Sequence, residues 1–186
     1  MNNGSAGLDE VELLHLALYA MRNDRHDEAM SLLKRAIEAD PNSAPAHYLL
    51  GAEHAQVGLY DRAVVEIAES VRLNPGIPSA HFQLGLLHLT AGRVQEAKAA
   101  WQPLDQLAAD DPLRLFKSGL LHLVNEEREL CIQDLQAGIA RNTVEALNDD
   151  MRRLLADVQS RQPVPSPSRH MLLSTYDHNR DDTTTD

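Results

Sequence analysis

Cysteine and aromatic residues are scarce in this chain of 186 residues. The single cysteine, Cys131, cannot form an internal disulfide, which favours a reducing compartment such as the cytoplasm. Aromatic residues make up only 4% of the sequence, a composition that disfavours a β-sandwich and favours helices. The sequence has no apolar run near the roughly 18 residues that a membrane span needs, and its first ten residues do not resemble a secretory signal. We therefore expect a cytoplasmic chain without membrane insertion.

Positively charged residues are also scarce. The chain has 17 lysines and arginines against 28 aspartates and glutamates, so its formal net charge is −11. A chain of this charge repels phosphate backbones, and no nucleic-acid partner is predicted. Its length suits one ordinary domain or a short repeat array that buries a core without disulfides or metals.

A repeat of 34 residues is the strongest pattern in the sequence. Gly51, Gly85 and Gly119 are spaced by this period, and Ala17 occupies the slot one period earlier. Two more columns share the register, one small (Ala29, Ala63, Ala97, Cys131) and one large and apolar (Leu33, Ile67, Trp101, Leu135). Several columns in one register predict a structural repeat.

Each repeat has the pattern of two helices joined by a short turn. Gly58 and Gly92 follow the first helix of their units, where a left-handed residue ends a helix. The small column predicts the place where the two helices approach closely. Pro103 falls inside a helical stretch, so we expect that helix to end or kink near Trp101.

The repeat resembles the tetratricopeptide repeat family, whose signature is W-x2-L-G-x2-Y, then A-x3-F, then P. The second unit matches it at Leu50, Gly51, Ala63 and Pro75, with His47 and His54 in two aromatic positions and Ile67 in the third. The resemblance implies an all-α fold, an α-solenoid of about four helix-turn-helix repeats with a C-terminal cap helix. It also implies peptide or protein binding.

The predicted domain organisation follows the period. It consists of a disordered N-terminus (1–8), an array with its cap helix (9–161) and a proline-rich linker with a C-terminal tail (162–186). Within the array the repeats span about 10–43, 44–77, 78–111 and 112–143, and the cap helix spans 144–161.

The resemblance also implies a register in which the first helix of each repeat lines the concave face of the array. In that register the concave positions are mostly apolar, and they predict a partner-binding groove formed by Leu14, Leu18, Tyr48, Phe82, Leu86, Leu89, Phe116, Leu120 and Leu123. An apolar row of this size exceeds what a soluble monomer usually exposes in one patch. Either a partner covers it, or the curvature of the array, the cap helix or the tail buries it internally.

The sequence predicts no enzyme, no metal site and no cofactor. His54, His88 and His122 recur at the period, and His47 and His81 sit in a second column. Since these histidines replace aromatic residues of the signature, we expect them to pack between helices with their polar tips satisfied; pH-sensitive packing and metal binding are the alternatives. Nothing has the His-x3-His spacing of a zinc helix, and no phosphate loop or nucleophile motif occurs.

The predicted function is a non-catalytic interaction module, an adaptor or chaperone that holds an apolar peptide or helix of a partner protein in the groove. The alternative is a self-associating scaffold, a possible homo-oligomer whose groove is filled by its own or a neighbour's tail. The tail carries the apolar residues Met171, Leu172, Leu173 and Tyr176.

Overall fold

The computed structural model describes residues 8–160, and all regular structure in that range is helical. The α-helices are α1 (Glu10–Arg22), α2 (His26–Ala39), α3 (Ala44–Gln56), α4 (Tyr60–Leu73), α5 (Pro78–Thr90), α6 (Val94–Trp101), α7 (Pro112–Val124), α8 (Arg128–Arg141) and α9 (Glu145–Gln159), with a 3-10 helix at Gln102–Gln106. The predicted all-α fold class is confirmed. The predictions for residues 1–7 and for the linker and tail, including tail docking, lie outside the described residues.

Side chains at the helix starts explain several of these boundaries. Asp9 forms a capping box with Glu12 before α1, because each side chain accepts a hydrogen bond from the other residue's backbone N–H. The Ser43 hydroxyl caps α3, and the Asp111 carboxylate caps α7 ahead of Pro112. These contacts satisfy N–H groups that the helices leave unpaired.

The prediction for Pro103 is confirmed. Helix α6 ends at Trp101 after 8 residues, whereas α2, α4 and α8 each have 14. The chain continues through the 3-10 helix, in which Pro103 lies near the start. Proline has no N–H to donate to the helix and fits only near a helix start, so it stops α6 early.

The chain divides into two compact units at Ala80 and His81, within the first turn of α5. In the first unit, α1 packs against α2, and α3 packs against both α2 and α4. In the second unit, α7 packs against α8, α8 packs against α9, and the 3-10 helix contacts α6 and α7. Each unit therefore has its own packed helices, and each is described by itself below.

The small-residue column lies in the core. Ala29, Ala63, Ala97 and Cys131 are fully buried. A methyl group added at Gly51 would overlap Ile67, and one added at Gly85 would overlap the indole of Trp101. The two helices of a repeat therefore approach as closely as this column predicts.

Aromatic rings form the centre of the second unit. The ring of Phe82 lies 6.1 Å from that of Trp101 in a stacked arrangement and 6.4 Å from that of Phe116 in a tilted one. The indole nitrogen of Trp101 donates a 2.8 Å hydrogen bond to the carbonyl oxygen of Phe82. All three side chains are buried, so this cluster is core.

Candidate functional site

Burial separates the nine predicted groove residues into two groups. Leu14, Leu18 and Leu123 are partly accessible. The other six are buried: Tyr48, Phe82, Leu86, Leu89, Phe116 and Leu120.

The six buried residues lack the accessible surface that residues lining an open groove would have. Phe82 is only 1% exposed, because its ring packs against those of Trp101 and Phe116. This burial matches the alternative left open above, in which the row is covered internally. A partner-binding role for the row stays a prediction.

Helix α1 keeps apolar side chains accessible at positions that are buried one period later. Leu16 and Tyr19 are exposed, Tyr19 by 61%, whereas Leu50 and Glu53 at the same positions of α3 are buried. Val11 is exposed too, but so is Pro45 at the equivalent position of α3. The difference arises because α3 packs against helices on two sides, while α1 packs mainly against α2. The sequence repeat, by contrast, predicts the same exposure at equivalent positions of α1 and α3.

A groove of about 680 Å³ lies in the first unit between α2 and α4, with α3 at its base. It is lined by Lys34, Ile37 and Glu38 of α2, by His47, Leu50 and His54 of α3, and by Asp61, Arg62, Val65 and Glu66 of α4. The Nδ1 atom of His47 lies 2.7 Å from Oε2 of Glu66, so these two side chains pair across α3 and α4. The sequence did not predict this groove, since its lining comes from three helices of two repeats.

His54 is buried in this groove without a hydrogen-bond partner. The residue is 4% exposed, and neither ring nitrogen has a partner among the described residues. The equivalent histidines are paired: Arg93 Nε donates to Nδ1 of His88 at 3.1 Å, and Nδ1 of His122 lies 2.5 Å from a carboxylate oxygen of Glu127. The prediction that the histidine tips are satisfied is therefore wrong for His54.

The residue five positions after each histidine explains the difference. Arg93 and Glu127 occupy that position in the third and fourth repeats, but the second repeat has Leu59, which has no polar group to offer. Burial, the largest cause, lowers the pKa of His54; nearby Glu66 raises it, and the cations Lys34 and Arg62 lower it. A comparison of Leu59 with Arg93 and Glu127 would have shown from the sequence that the turn offers His54 no polar partner.

Two other buried charged groups are held by partners. Glu53 lies 2.9 Å from Nδ1 of His26 and joins α3 to α2; burial raises its pKa, an effect that His26 partly offsets. In the second unit, Nζ of Lys117 lies 2.6 Å from Asp105 and 3.3 Å from the carbonyl oxygen of Trp101. Both contacts link neighbouring elements and are structural.

The described residues contain neither a reactive thiol nor a metal-binding cluster. Burial raises the pKa of Cys131 to about 11, so its thiol stays protonated at neutral pH. Residues 8–160 contain no group of three or more histidine, cysteine, aspartate or glutamate side chains that could hold a metal ion. In that same range, none of the helices has the length and apolar character to span a membrane.

Solved structures share this fold. The crystal structure of the APC/C hetero-tetramer Cut9–Hcn1 aligns with a TM-score of 0.70 and 19% identity over 82% of this chain; the match spans 30% of that chain's length. A crystal structure of MamA aligns with a TM-score of 0.60 and 21% identity over 70% of this chain and 77% of that one. The structure of the MamA RS-1 ArsTM double mutant aligns with a TM-score of 0.61 and 20% identity over 83% of this chain and 85% of that one. At these identities the likeness establishes the helical solenoid fold.

Sequence comparison identifies the repeat. No curated protein sequence matches the chain. Two sequence models described as tetratricopeptide repeat match residues 10–53 and 48–112, which together make up more than half of the chain. The chain is therefore a member of the tetratricopeptide repeat family.

Proposed function

We propose that this chain is a non-catalytic protein-binding module, an adaptor or chaperone that binds an apolar segment of a partner protein. Membership of the tetratricopeptide repeat family supports the general role, because such arrays bind proteins over their extended surfaces. The single cysteine supports a location in the cytoplasm, which stays a prediction.

The accessible apolar strip of α1 carries this proposal. Val11, Leu14 and Leu18 have the spacing i, i+3 and i+7, which places them on one face of the helix. All three keep accessible surface, whereas Tyr48 and Ala52, one period after Leu14 and Leu18, are buried. Accessible apolar side chains that lie together on one helix face are typical of a surface that a protein partner covers. The α1 strip thus contains Leu14 and Leu18, two of the three predicted groove residues that stay accessible.

The test introduces one charge into the strip. We expect Leu18→Glu to reduce capture of partner proteins, and binding of a leucine-rich amphipathic peptide, by about tenfold or more, since burying a carboxylate against apolar surface is costly. Ser31→Glu introduces the same charge at an exposed position of α2, outside the strip, and should leave binding unchanged. Equal binding by wild type and Leu18→Glu would show that the strip is not the binding surface.

Self-association is the second candidate function, and the exposure of Leu16 and Tyr19 on α1 favours it. An exposed leucine and tyrosine on one helix suit pairing with a second copy of the chain. Light scattering at two protein concentrations separates the candidates. A mass that doubles with concentration, and that Tyr19→Glu returns to the monomer value, supports self-association; a constant monomer mass excludes it.

A further inference from the structure

We propose that the groove between α2 and α4 is a second binding site, which takes a single side-chain carboxylate from an aspartate or glutamate of a partner protein. The site is separate from the α1 strip in both position and chemistry, so it does not depend on the proposed function.

The base of the groove has an unfilled hydrogen-bonding capacity. The ring of His54 offers one donor and one acceptor when neutral, or two donors when charged, and the protein uses neither nitrogen. An unsatisfied buried polar group costs about 1–3 kcal/mol, so a ligand that pairs with it recovers that cost. His88 and His122, which occupy the same repeat position, have partners within the chain. His54 therefore differs from its equivalents in what it can offer a ligand.

The charges near His54 select an anion. Lys34 and Arg62 stand on opposite walls of the groove, both are exposed, and neither forms an ion pair within residues 8–160. The carboxylate of Glu66, which raises the pKa of His54, is held at 2.7 Å by His47. Two cations and a histidine N–H are thus left for an incoming carboxylate, and Arg and Lys contacts to carboxylates are strong hydrogen bonds.

The rest of the lining limits the ligand to one carboxylate. Glu38 and Asp61 also line the groove, are exposed, and would repel a run of acidic residues. Leu50, Ile37 and Val65 offer apolar surface to the carbon atoms that carry the carboxylate. The best ligand is therefore one acidic residue flanked by apolar ones.

Binding requires a rearrangement of the side chains around His54. The ring nitrogens of His54 are covered in the unbound structure. A ligand reaches them when neighbouring groove side chains move aside, and Lys34 and Arg62 have the long, flexible stems that permit such movement.

The experiment uses the full chain and two peptides with blocked ends, acetyl-Ala-Leu-Glu-Leu-Ala-amide and its Gln counterpart. Binding is measured by calorimetry and by the NMR signal of the His54 imidazole. We expect the Glu peptide to bind about tenfold or more tightly than the Gln peptide, and to raise the pKa of His54. Lys34→Gln and Arg62→Gln should each reduce affinity for the Glu peptide several-fold. Arg35→Gln, an exposed neighbour outside the groove, should not.

The His54→Leu variant distinguishes a loss of peptide binding from a loss of folding stability. It removes an unsatisfied polar group, so it should keep or raise the melting temperature while it abolishes the preference for the Glu peptide. Equal affinity for the two peptides, no binding of either, or an unchanged preference in His54→Leu would each overturn the proposal. Loss of binding in Leu18→Glu alone would concern the α1 strip and leave this site intact.

Discussion

His54 shows how a residue in a turn determines the state of a side chain five positions earlier. The same histidine recurs at 88 and 122, yet only there does the turn supply a partner, through Arg93 and Glu127. Leu59 in the second repeat leaves His54 buried and unpaired. A repeat column of one residue type can therefore contain both a structural histidine and a candidate ligand-binding one.

This burial predicts a pH dependence of stability. The folded-state pKa of His54 lies below its ordinary value of 6.5, so the unfolded chain binds a proton more readily than the folded one. The contribution of His54 to the free energy of unfolding should therefore be constant above about pH 6.5 and fall as the pH drops below it. We expect His54→Leu to reduce the fall in melting temperature between pH 7.5 and 5.5. Part of the fall should persist, because burial also lowers the pKa of His88; identical curves for variant and wild type would contradict this assignment.

Phe82 and Leu14 occupy the same column of the repeat but differ in burial. Truncating the buried Phe82 to Ala should cost about 3–5 kcal/mol of unfolding free energy, because it leaves a cavity beside Trp101 and Phe116. Leu14→Ala, at a partly accessible position, should cost clearly less. Urea unfolding followed by circular dichroism measures both. Equal costs would mean that Phe82 is not a core residue.

At the scale of elements, the turns between paired helices share one backbone conformation. Gly58 and Gly92 have φ values of 80° and 75°, and Asp24 and Glu126, at the same repeat position, have 54° and 63°. Only the two glycines stand out in the sequence, because glycine adopts this region without strain. At the other two turns the same region is occupied by Asp24, a residue type that enters it more readily than most, and by Glu126, which disfavours it.

Because α3 and α4 approach closely, we expect a larger side chain at their contact to lower stability. Ala63 is fully buried on α4, while Ala68 is exposed on the same helix. Ala63→Leu should lower stability by about 1–3 kcal/mol, since three added carbon atoms have no space. Ala68→Leu is the matched control and should change stability little. Thermal unfolding compares them, and equal melting temperatures would show that the small column does not mark the helix contact.

At the scale of the molecule, the single tryptophan reports on one unit only. Trp101 is fully buried in the second unit, and the chain has no other tryptophan. Ala63→Leu, in the first unit, should therefore shift the urea midpoint of helicity more than that of tryptophan fluorescence. Stability in repeat arrays is roughly a sum of local terms, which is why the two signals should separate. Identical shifts would indicate that both units unfold as one.

The sequence alone determined the repeat, the helix pairs, the small column and the end of α6. These features depend on local chemistry: the period of apolar residues, the capping groups before α1, α3 and α7, and the missing N–H of Pro103. Such interactions involve residues close together in the chain, so the local sequence is enough to predict them.

The tertiary structure alone decided which surfaces are open. Leu14 and Phe82 share a column, yet one is accessible and the other buried. The groove between α2 and α4 combines residues of two repeats. Burial and pairing depend on neighbours that other parts of the chain bring to a residue, and a pattern that repeats every 34 positions does not record which neighbours those are.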